Sequence, residues 1–370
     1  MTSSSVSPFD SIVLMSFGGP NKADEVVPFL KNVTAGRGIP EERLEEVGEH
    51  YYAFGGKSPI NEQNIALLEA LQKEVRARGI DAPVVWGNRN WDPYLQDVLR
   101  ERAQAGDSRF IAVTTSAYSS YSSDRQYRED FAKASQTLAD EGTDVEIDKI
   151  RQYYNHPGFA DTQVKIVREA LAEFAQKVGG LDPDKHRLLY VTHSIPDTMQ
   201  AASEVRTIGY EAQHRQLMDY VASQLGGEQP LPQELVFCSE SGPAHIPWSQ
   251  PDINDRMDEL AEDGVTGVVV VPIGFVSDHM EVVYDLDTEA KETAEKHGLA
   301  FVRAATVGTD PVFVSGLVDL ILERAAQVRG EEVSAPAVTE EGPLICGSGA
   351  CAVDCCRGRV DKPTMPNWAG

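Results

Sequence analysis

The sequence predicts an α/β protein of two similar Rossmann-like domains, each a doubly wound four-stranded parallel sheet, with a cleft between them. Three observations predict it. Short β-branched runs alternate with amphipathic helical stretches along the chain, the pattern of parallel sheets covered on both faces. Eight such runs occur. They form two sets of four with a similar rhythm: the second set begins its strands 47, 33 and 33 residues apart, the first 72, 27 and 34. The long first gap implies an insert after the first strand, over about 20–60.

In chain order, "SIVLMSF" (11–17) is the first strand, and the insert follows with "VTAGRGIPEERL" and "HYYAFGGKSPI". A helix over 61–78 leads to "PVVWGN" (83–88), then "FIAVTTS" (110–116), a helix over 131–141 and "DVEID" (144–148). These complete a first domain over 8–150. The second, over 151–310, runs from a helix at 159–178 to "RLLYVTHS" (187–194), a helix at 212–225 and "ELVFCS" (234–239). It continues through "GVVVVPI" (267–273), a helix at 278–296 and "AFVRAA" (300–305). A last helix over 311–329 has no strand after it, so it is expected to pack back on the first domain. From 330 the composition shifts to an acidic linker, "GEEVSAPAVTEEGP", and then to a cysteine-rich tail ending at 370.

Composition narrows the function classes. An apolar fraction of 41% is enough for real cores. The net charge of −25 excludes a nucleic-acid backbone as partner, because phosphate binding needs basic patches. It suits attraction of a metal cation instead. The start, "MTSSSVSPFD", is polar, and the longest apolar run, "GVVVVPIGF", is far shorter than the roughly eighteen residues of a spanning helix. The expectation is a cytoplasmic protein without an integral membrane segment, and by default a monomer.

Open α/β sheets bind ligands outside the carboxyl ends of their strands. Two strand ends stand out. "LLYVTHSIPD" finishes at His193, with Pro196 breaking the chain soon after. "VVVVPIGFVSDHMEVVYDLDTE" crosses a short loop into a helix on which Glu281, Asp285 and Glu289 recur every four residues. That spacing lines one face, with Asp287 off the row and His279 just before it. A strand-end histidine is usually structural, and an acidic helix face is usually solvated surface. Like charges four apart cost stability unless a cation sits among them, which raises the functional reading here. "SFGGPNKADE" (16–25) lacks the glycine spacing of a dinucleotide site. "SSYSSDRQYRED" (119–130) offers hydroxyls with Arg125 and Arg128, as a helix start or an anion-contacting strand end. "FCSESGPAHIPWSQPD" (237–252) is either a long loop with one packed aromatic, Trp248, or a rim of the cleft.

Five segments taken together, "LMSFGGP", "GGKSPI", "VTHSIP", "SGP…PW…PD" and "GFVSDHMEVVYDLD", resemble ferrochelatases, in order from about 11 to 329. The resemblance implies a chelatase-like fold of two α/β domains and insertion of Fe²⁺ into a porphyrin. It implies that His193 and Glu281 are the catalytic pair across the cleft. A neutral imidazole suits proton acceptance and Fe²⁺ contact. A facing carboxylate can hold a proton or the metal. Asp285 and Glu289 continue the family's acidic row, a route for metal delivery or proton exit. Phe17 stands where some bacterial relatives have an iron-ligating Tyr, and Asn90 where some place a His. By the same resemblance Phe17, Tyr51, Ser58, Ser120, Tyr121, Arg125 and Trp248 line the porphyrin site, with Arg37 and Arg43 as further partners for its carboxylates.

The insert reads as charged rather than apolar, which favours coproporphyrin III, with four propionates, over protoporphyrin IX, with two. The product coproheme would then pass to a later acceptor enzyme. Protoporphyrin IX chelation stays open as an alternative, as do a cobalt chelatase and a non-catalytic tetrapyrrole-binding iron–sulfur protein.

The tail holds Cys346, Cys351, Cys355 and Cys356 within "LICGSGACAVDCC". No C-x-x-C occurs, so a zinc ribbon fits poorly. In a reducing compartment, clustered cysteines are metal ligands sooner than disulfides. Four thiolates with Gly347 and Gly349 for tight turns can hold a [2Fe–2S] cluster, and the tail resembles that of ferrochelatases which carry one. Its expected role is a clamp, with redox or iron sensing as the rival. Cys238 reads as a small core residue and as the only substitute should one tail cysteine not be a ligand.

Overall fold

All eight strand-like runs are strands, in a computed structural model that describes residues 5–36, 38–228, 231–241, 245–340, 342, 354–358, 360 and 362–365. The first half runs β1 (Ser11–Ser16), α1 (Val26–Val33), α2 (Glu41–Tyr52), α3 (Ile60–Ala77), β2 (Val84–Asn88), α4 (Leu95–Gln104) and β3 (Arg109–Thr114). A π-helix (Tyr121–Arg125), α5 (Gln126–Asp140) and β4 (Glu146–Lys149) follow. The second half begins with α6 (Pro157–Val178), β5 (His186–His193), α7 (Asp197–Ser203), α8 (Tyr210–Leu225), β6 (Gln233–Cys238), α9 (Ile253–Glu262) and β7 (Gly267–Val271). A second π-helix (Val282–Ala290) runs straight into α10 (Lys291–His297), and β8 (Ala300–Arg303) and α11 (Pro311–Val328) end the body.

Each sheet is parallel and four-stranded, in the orders β2-β1-β3-β4 and β6-β5-β7-β8. The orders are the same once renumbered, so the two halves repeat one topology. In each, the chain reverses direction across the sheet after its second strand. The crevice therefore opens at the carboxyl ends of β1 and β3, and of β5 and β7. β5 is central, and its last residue, His193, stands in register with Cys238 of β6.

Local chemistry sets several boundaries. Pro157 and Pro311 open α6 and α11 at the position where a missing N–H costs nothing. The His156 ring accepts from Gly158 N, and the Asp310 carboxylate from Val312 N. Gly179, left-handed at φ 80, ends α6. The helix expected over 131–141 begins at Gln126. Its first turn was illegible because Arg128 and Glu129 are buried there, where a helical pattern calls for apolar residues. The helix expected over 278–296 is the π-helix plus α10, a wider turn that periodicity cannot reveal.

One apolar core spans both halves, uniting Ile12, Leu14, Leu71, Phe159, Leu188, Tyr190, Leu217 and Val318. α11 lies against α6 and α3. Gly158 and Gly316 let α6 and α11 approach closely, since a Cβ on Gly158 would fall 2.7 Å from the Gly316 Cα. Two buried ion pairs fix the other face of α11: Arg151 to Glu323 at 2.7 Å and Arg324 to Asp148 at 2.8 Å. The linker after 330 is laid along residues 151–155, with Val338 N donating to Asn155 O and Arg151 Nη2 to Pro336 O.

The insert differs from its charged reading. α1 buries Val26, Phe29 and Leu30, and these gather Phe17, Tyr51 and Trp91 into a small apolar cluster of their own. Its outer side exposes Ile39, Tyr52 and Phe54 among the charges. Amphipathic helices hide their apolar stripe inward, so composition alone overstated how polar this lobe is.

The halves meet through Tyr118, just after β3. Its ring stacks on His214 of α8 at 3.6 Å between centroids, and its hydroxyl donates to Ile273 O beyond β7. Gln213 accepts from Ser119 N and donates back to Ser119 O. Burial depresses His214 to about 3, and the Arg215 charge adds to it, against the Tyr210 carbonyl. The unfolded chain binds a proton here below about 6.5 and the native chain does not until far lower. Stability therefore falls as pH drops below that value, by ~1.4 kcal/mol per pH unit from this ring. We predict that His214→Phe flattens the fall in melting temperature between about pH 6.5 and 5; an equal fall in wild type and variant would contradict it.

Candidate active site

His193 and Glu281 come together. Nε2 of His193 lies 3.7 Å from Oε1 of Glu281, and the other carboxylate oxygen lies 3.5 Å from Nδ1 of His279. The meeting depends on Gly274. A Cβ there would run into Thr192, so only glycine lets the chain after β7 cross the end of β5. Gly274 N donates to Val191 O, and Thr192 shares a 2.6 Å hydrogen bond with the Tyr210 hydroxyl behind it. The loop then places Glu281 directly before the π-helix. His193 Nδ1 lies 2.5 Å from Ser194 O, which orients the ring with Nε2 toward Glu281.

Electrostatics make the pair a single proton-sharing unit. Burial disfavours a charged His193, but Glu281 outweighs it, with Ser194 O and Asp285 assisting, and pushes the ring up to about 9. Burial likewise opposes ionisation of Glu281, and His193 and His279 overcome it, holding the carboxyl near about 2. The side chains stay 33% and 48% exposed, facing the cleft. At neutral pH the unliganded site is thus an imidazolium beside a carboxylate, where the sequence suggested a neutral ring. The carboxylate partner is the reason. His279, buried and repelled by His193, is depressed and stays neutral.

Asp285 behaves differently from Glu281. Burial raises it to about 7 with the help of Glu281 and Glu289, against a hydrogen bond from the Ser239 hydroxyl. Glu289, exposed at the outer end of the row, is raised by burial and by Asp252 and Glu292. It borders a pocket lined by Asn254, Glu292, Thr293 and Lys296. Asp287, off the row by its spacing, is held by Arg303 at 2.7 Å, together with Asp278 at 3.2 Å.

The insert closes the opposite wall. His50 stacks on Tyr284 at 3.9 Å between centroids, and Asp278 N donates to Gln63 of α3. Burial and the Glu281 and Asp285 charges raise the Tyr51 hydroxyl well above its ordinary range. Phe17 packs edge-on against Phe29 beside it. Asn90 donates to Phe17 O and shapes that strand end.

The other expected site residues have partners of their own. Ser58 is buried, its Oγ accepting from Ile60 N, and Ser120 is buried against Ser123. Tyr121 donates to Glu129, and buried Arg125 reaches Glu129 and Lys362 O. Trp248 bridges Pro196 beyond β5, and its Nε1 is buried without a hydrogen-bond partner among the described residues. Arg43 pairs with Glu46 on the exposed face of α2. Arg37, Cys346 and Cys351 lie outside the described residues.

Cys355 and Cys356 are buried, with sulfurs 3.0 Å apart and no disulfide. Their thiols and the Asp124 carboxylate offer three ligand atoms within 4.8 Å of one another. Cys238 is not part of that group. It sits beside His193 at the end of β6, its thiol pushed up by burial and by Asp285. The carboxylate beside the two tail thiols is that of Asp124 on the first half. Sequence reading also passed over Ser239, although it follows a strand end as His193 does. It gave no sign of the His50–Tyr284 stack, which joins residues far apart in the chain.

The chain matches the ferrochelatase family over residues 10–325. It is 50% identical to the coproporphyrin III ferrochelatase of Streptomyces coelicolor, over 96% of each chain. The chain belongs to the ferrochelatase family. The coproporphyrin III ferrochelatase of Leifsonia xyli is 49% identical over 93% of this chain and 91% of its own. A relative named ferrochelatase from Rhodopirellula baltica is 42% identical over 99% and 98%. Among solved structures, SirB from Bacillus subtilis with Fe3+ shares the fold at a TM-score of 0.51 and 12% identity, covering 86% of this chain and 97% of its own. No helix among the described residues is long and apolar enough to cross a membrane.

The pair makes a direct prediction for this ferrochelatase. His193 is raised above its unfolded value, so its contribution to stability is present below about 6.5 and is lost as pH rises through about 9. Glu281→Gln removes the carboxylate and should lower the His193 titration midpoint by more than about one unit. Histidine-selective NMR titration reads it; an unmoved midpoint would mean the pairing is not the cause.

Proposed function

We propose that the chain inserts ferrous iron into coproporphyrin III, forming coproheme and releasing two protons. The observation that carries the reading is the His193–Glu281 pair at the meeting of two strand ends, backed by a carboxylate row leading outward. The closely similar relatives bearing this name support the substrate. A rim that mixes charge with a few exposed apolar side chains leaves four propionates facing water.

The protons decide the residue roles. Two pyrrole N–H protons must leave as the iron bonds to the four ring nitrogens. His193 begins protonated, so it first passes a proton to the row. Asp285, held near neutrality, is the carboxylate poised to take it at physiological pH. His193 then accepts the two pyrrole protons in turn, passing each to Asp285 and on toward Glu289 and solvent, and Glu281 stays anionic opposite the incoming Fe²⁺. Glu289 and its bordering pocket form the outer end of the route, where protons leave. Phe17 beyond β1 and Tyr51 of the insert flank the ring, and Trp248 from the other side of β5. Cytoplasmic location fits this reading.

An anaerobic assay with Fe²⁺, following loss of porphyrin fluorescence, should show faster turnover of coproporphyrin III than of protoporphyrin IX. His193→Ala should lower kcat by at least about 100-fold while porphyrin still binds. Preference for protoporphyrin IX would reverse the substrate assignment. Binding without turnover in the wild type would leave a tetrapyrrole carrier in place of an enzyme.

We infer further that the tail carries a [2Fe–2S] cluster acting as a clamp. The donor set fits: two buried thiols and a carboxylate converge, and Cys346 and Cys351 are close in sequence. The cluster would add binding energy to folding. The described tail is seated on the body around these donors. Asp354 pairs with Arg206 at 2.8 Å, Met365 N donates to Arg128 O, and Gly358 lies flat on the Tyr121 ring. Cys356→Ser should therefore lower the melting temperature without moving the His193 titration. Loss of iron and sulfide at an unchanged melting temperature would argue against the clamp.

A further inference from the structure

We propose that Asp124 is a ligand of the tail's metal centre, supplying from the body of the first half a carboxylate oxygen beside the tail's thiolates. This rests on the cluster reading above and deepens it: the centre would be an iron–sulfur cluster in which a carboxylate stands beside the thiolates of Cys355 and Cys356.

Several observations converge on Asp124. It lies on the π-helix after β3 and is fully buried, as are Cys355 and Cys356. One ligand atom from each stands within 4.8 Å of the other two, the spacing at which a metal centre bridges them. The sulfurs at 3.0 Å are far outside the S–S bond length of about 2.05 Å, so the two thiols are not consuming each other. Cys356 adopts a left-handed φ of 54, uncommon for a residue with a side chain and held here with its thiol inward.

Charge points the same way. Metal binding deprotonates both thiols, and the carboxylate is already an anion. Lys149 stands 3.0 Å from Asp124 Oδ1, and its ammonium also serves Ile150 O and Gln152 Oε1. It is a buried cation beside the donors, placed to act as a counter-ion to an anionic centre. A carboxylate is a harder ligand than a thiolate and holds iron less firmly, so this corner of the cluster is its labile one.

The geometry also says what the bond would hold. The π-helix that presents Asp124 carries Tyr121 and Arg125, both covered by the tail. Asp124 ligation pins residues 354–365 to the loop after β3. Arg206 of the second half meets the same segment through Asp354, so the centre ties the tail across both halves.

The test uses the full chain purified anaerobically, with iron and acid-labile sulfide measured and EPR recorded after dithionite reduction. Wild type should hold roughly two irons and two sulfides. Asp124→Ala should lose most of both. Asp124→Cys should keep them, with shifted g-values, a lower reduction potential and slower loss of iron to a chelator. Should Asp124→Ala not fold, the cysteine variant decides alone. Wild type free of iron and sulfide would overturn the cluster reading beneath the proposal. A wild-type cluster whose g-values, potential and chelator sensitivity are the same in Asp124→Cys would overturn Asp124 as ligand and leave the cluster standing.

Discussion

Everything at the site depends on two parallel sheets presenting their carboxyl ends to one cleft, and Tyr118 holds them so. It leaves β3 of the first sheet, stacks on His214 of α8 and donates to Ile273 O past β7. The residues that follow Ile273 are Gly274 and the loop that carries Glu281 to His193. A single aromatic side chain thus connects the first sheet to the backbone that positions Glu281. Because Tyr118 is buried, its hydroxyl requires that acceptor, and the shared core beneath gives the halves little freedom to slide.

Within that frame, charge is distributed unevenly along one face. Glu281 is kept anionic by His193, while Asp285, one turn further out, is held near neutrality by burial and by its acidic neighbours. Two carboxylates of similar chemistry acquire different duties from their surroundings alone, the arrangement expected where protons must move. The like-charge cost of the row, puzzling in a surface helix, is borne by a protonated histidine at one end and a protonatable aspartate in the middle. Arg303 removes Asp287 and Asp278 from the competition.

The tail adds a second centre of gravity. It reaches the first half at a π-helix and the second at Arg206, and its acidic lead-in is pinned by Arg151 and Asn155. Both π-helices come after a strand end, with Asp124 on one and the acidic row on the other. Such wide turns are less favourable than α-helix and persist where function needs the altered spacing.

The amino-acid sequence by itself determined the strands, their two sets of four and the pairing of His193 with Glu281. Alternation of β-branched runs with amphipathic helices is a local signal, and five motifs in order are specific enough to carry a site. It did not determine how polar the insert is, because inward-facing Phe29 and Tyr51 are invisible in a charge count. Nor did it show that His193 is charged, since a proton's affinity depends on what stands 3.7 Å away. Asp124 and Cys356 are 232 residues apart in the chain, and no spacing rule joins them. Only the tertiary structure, by burying both against the loop after β3, brought their possible ligand atoms within 4.8 Å of one another.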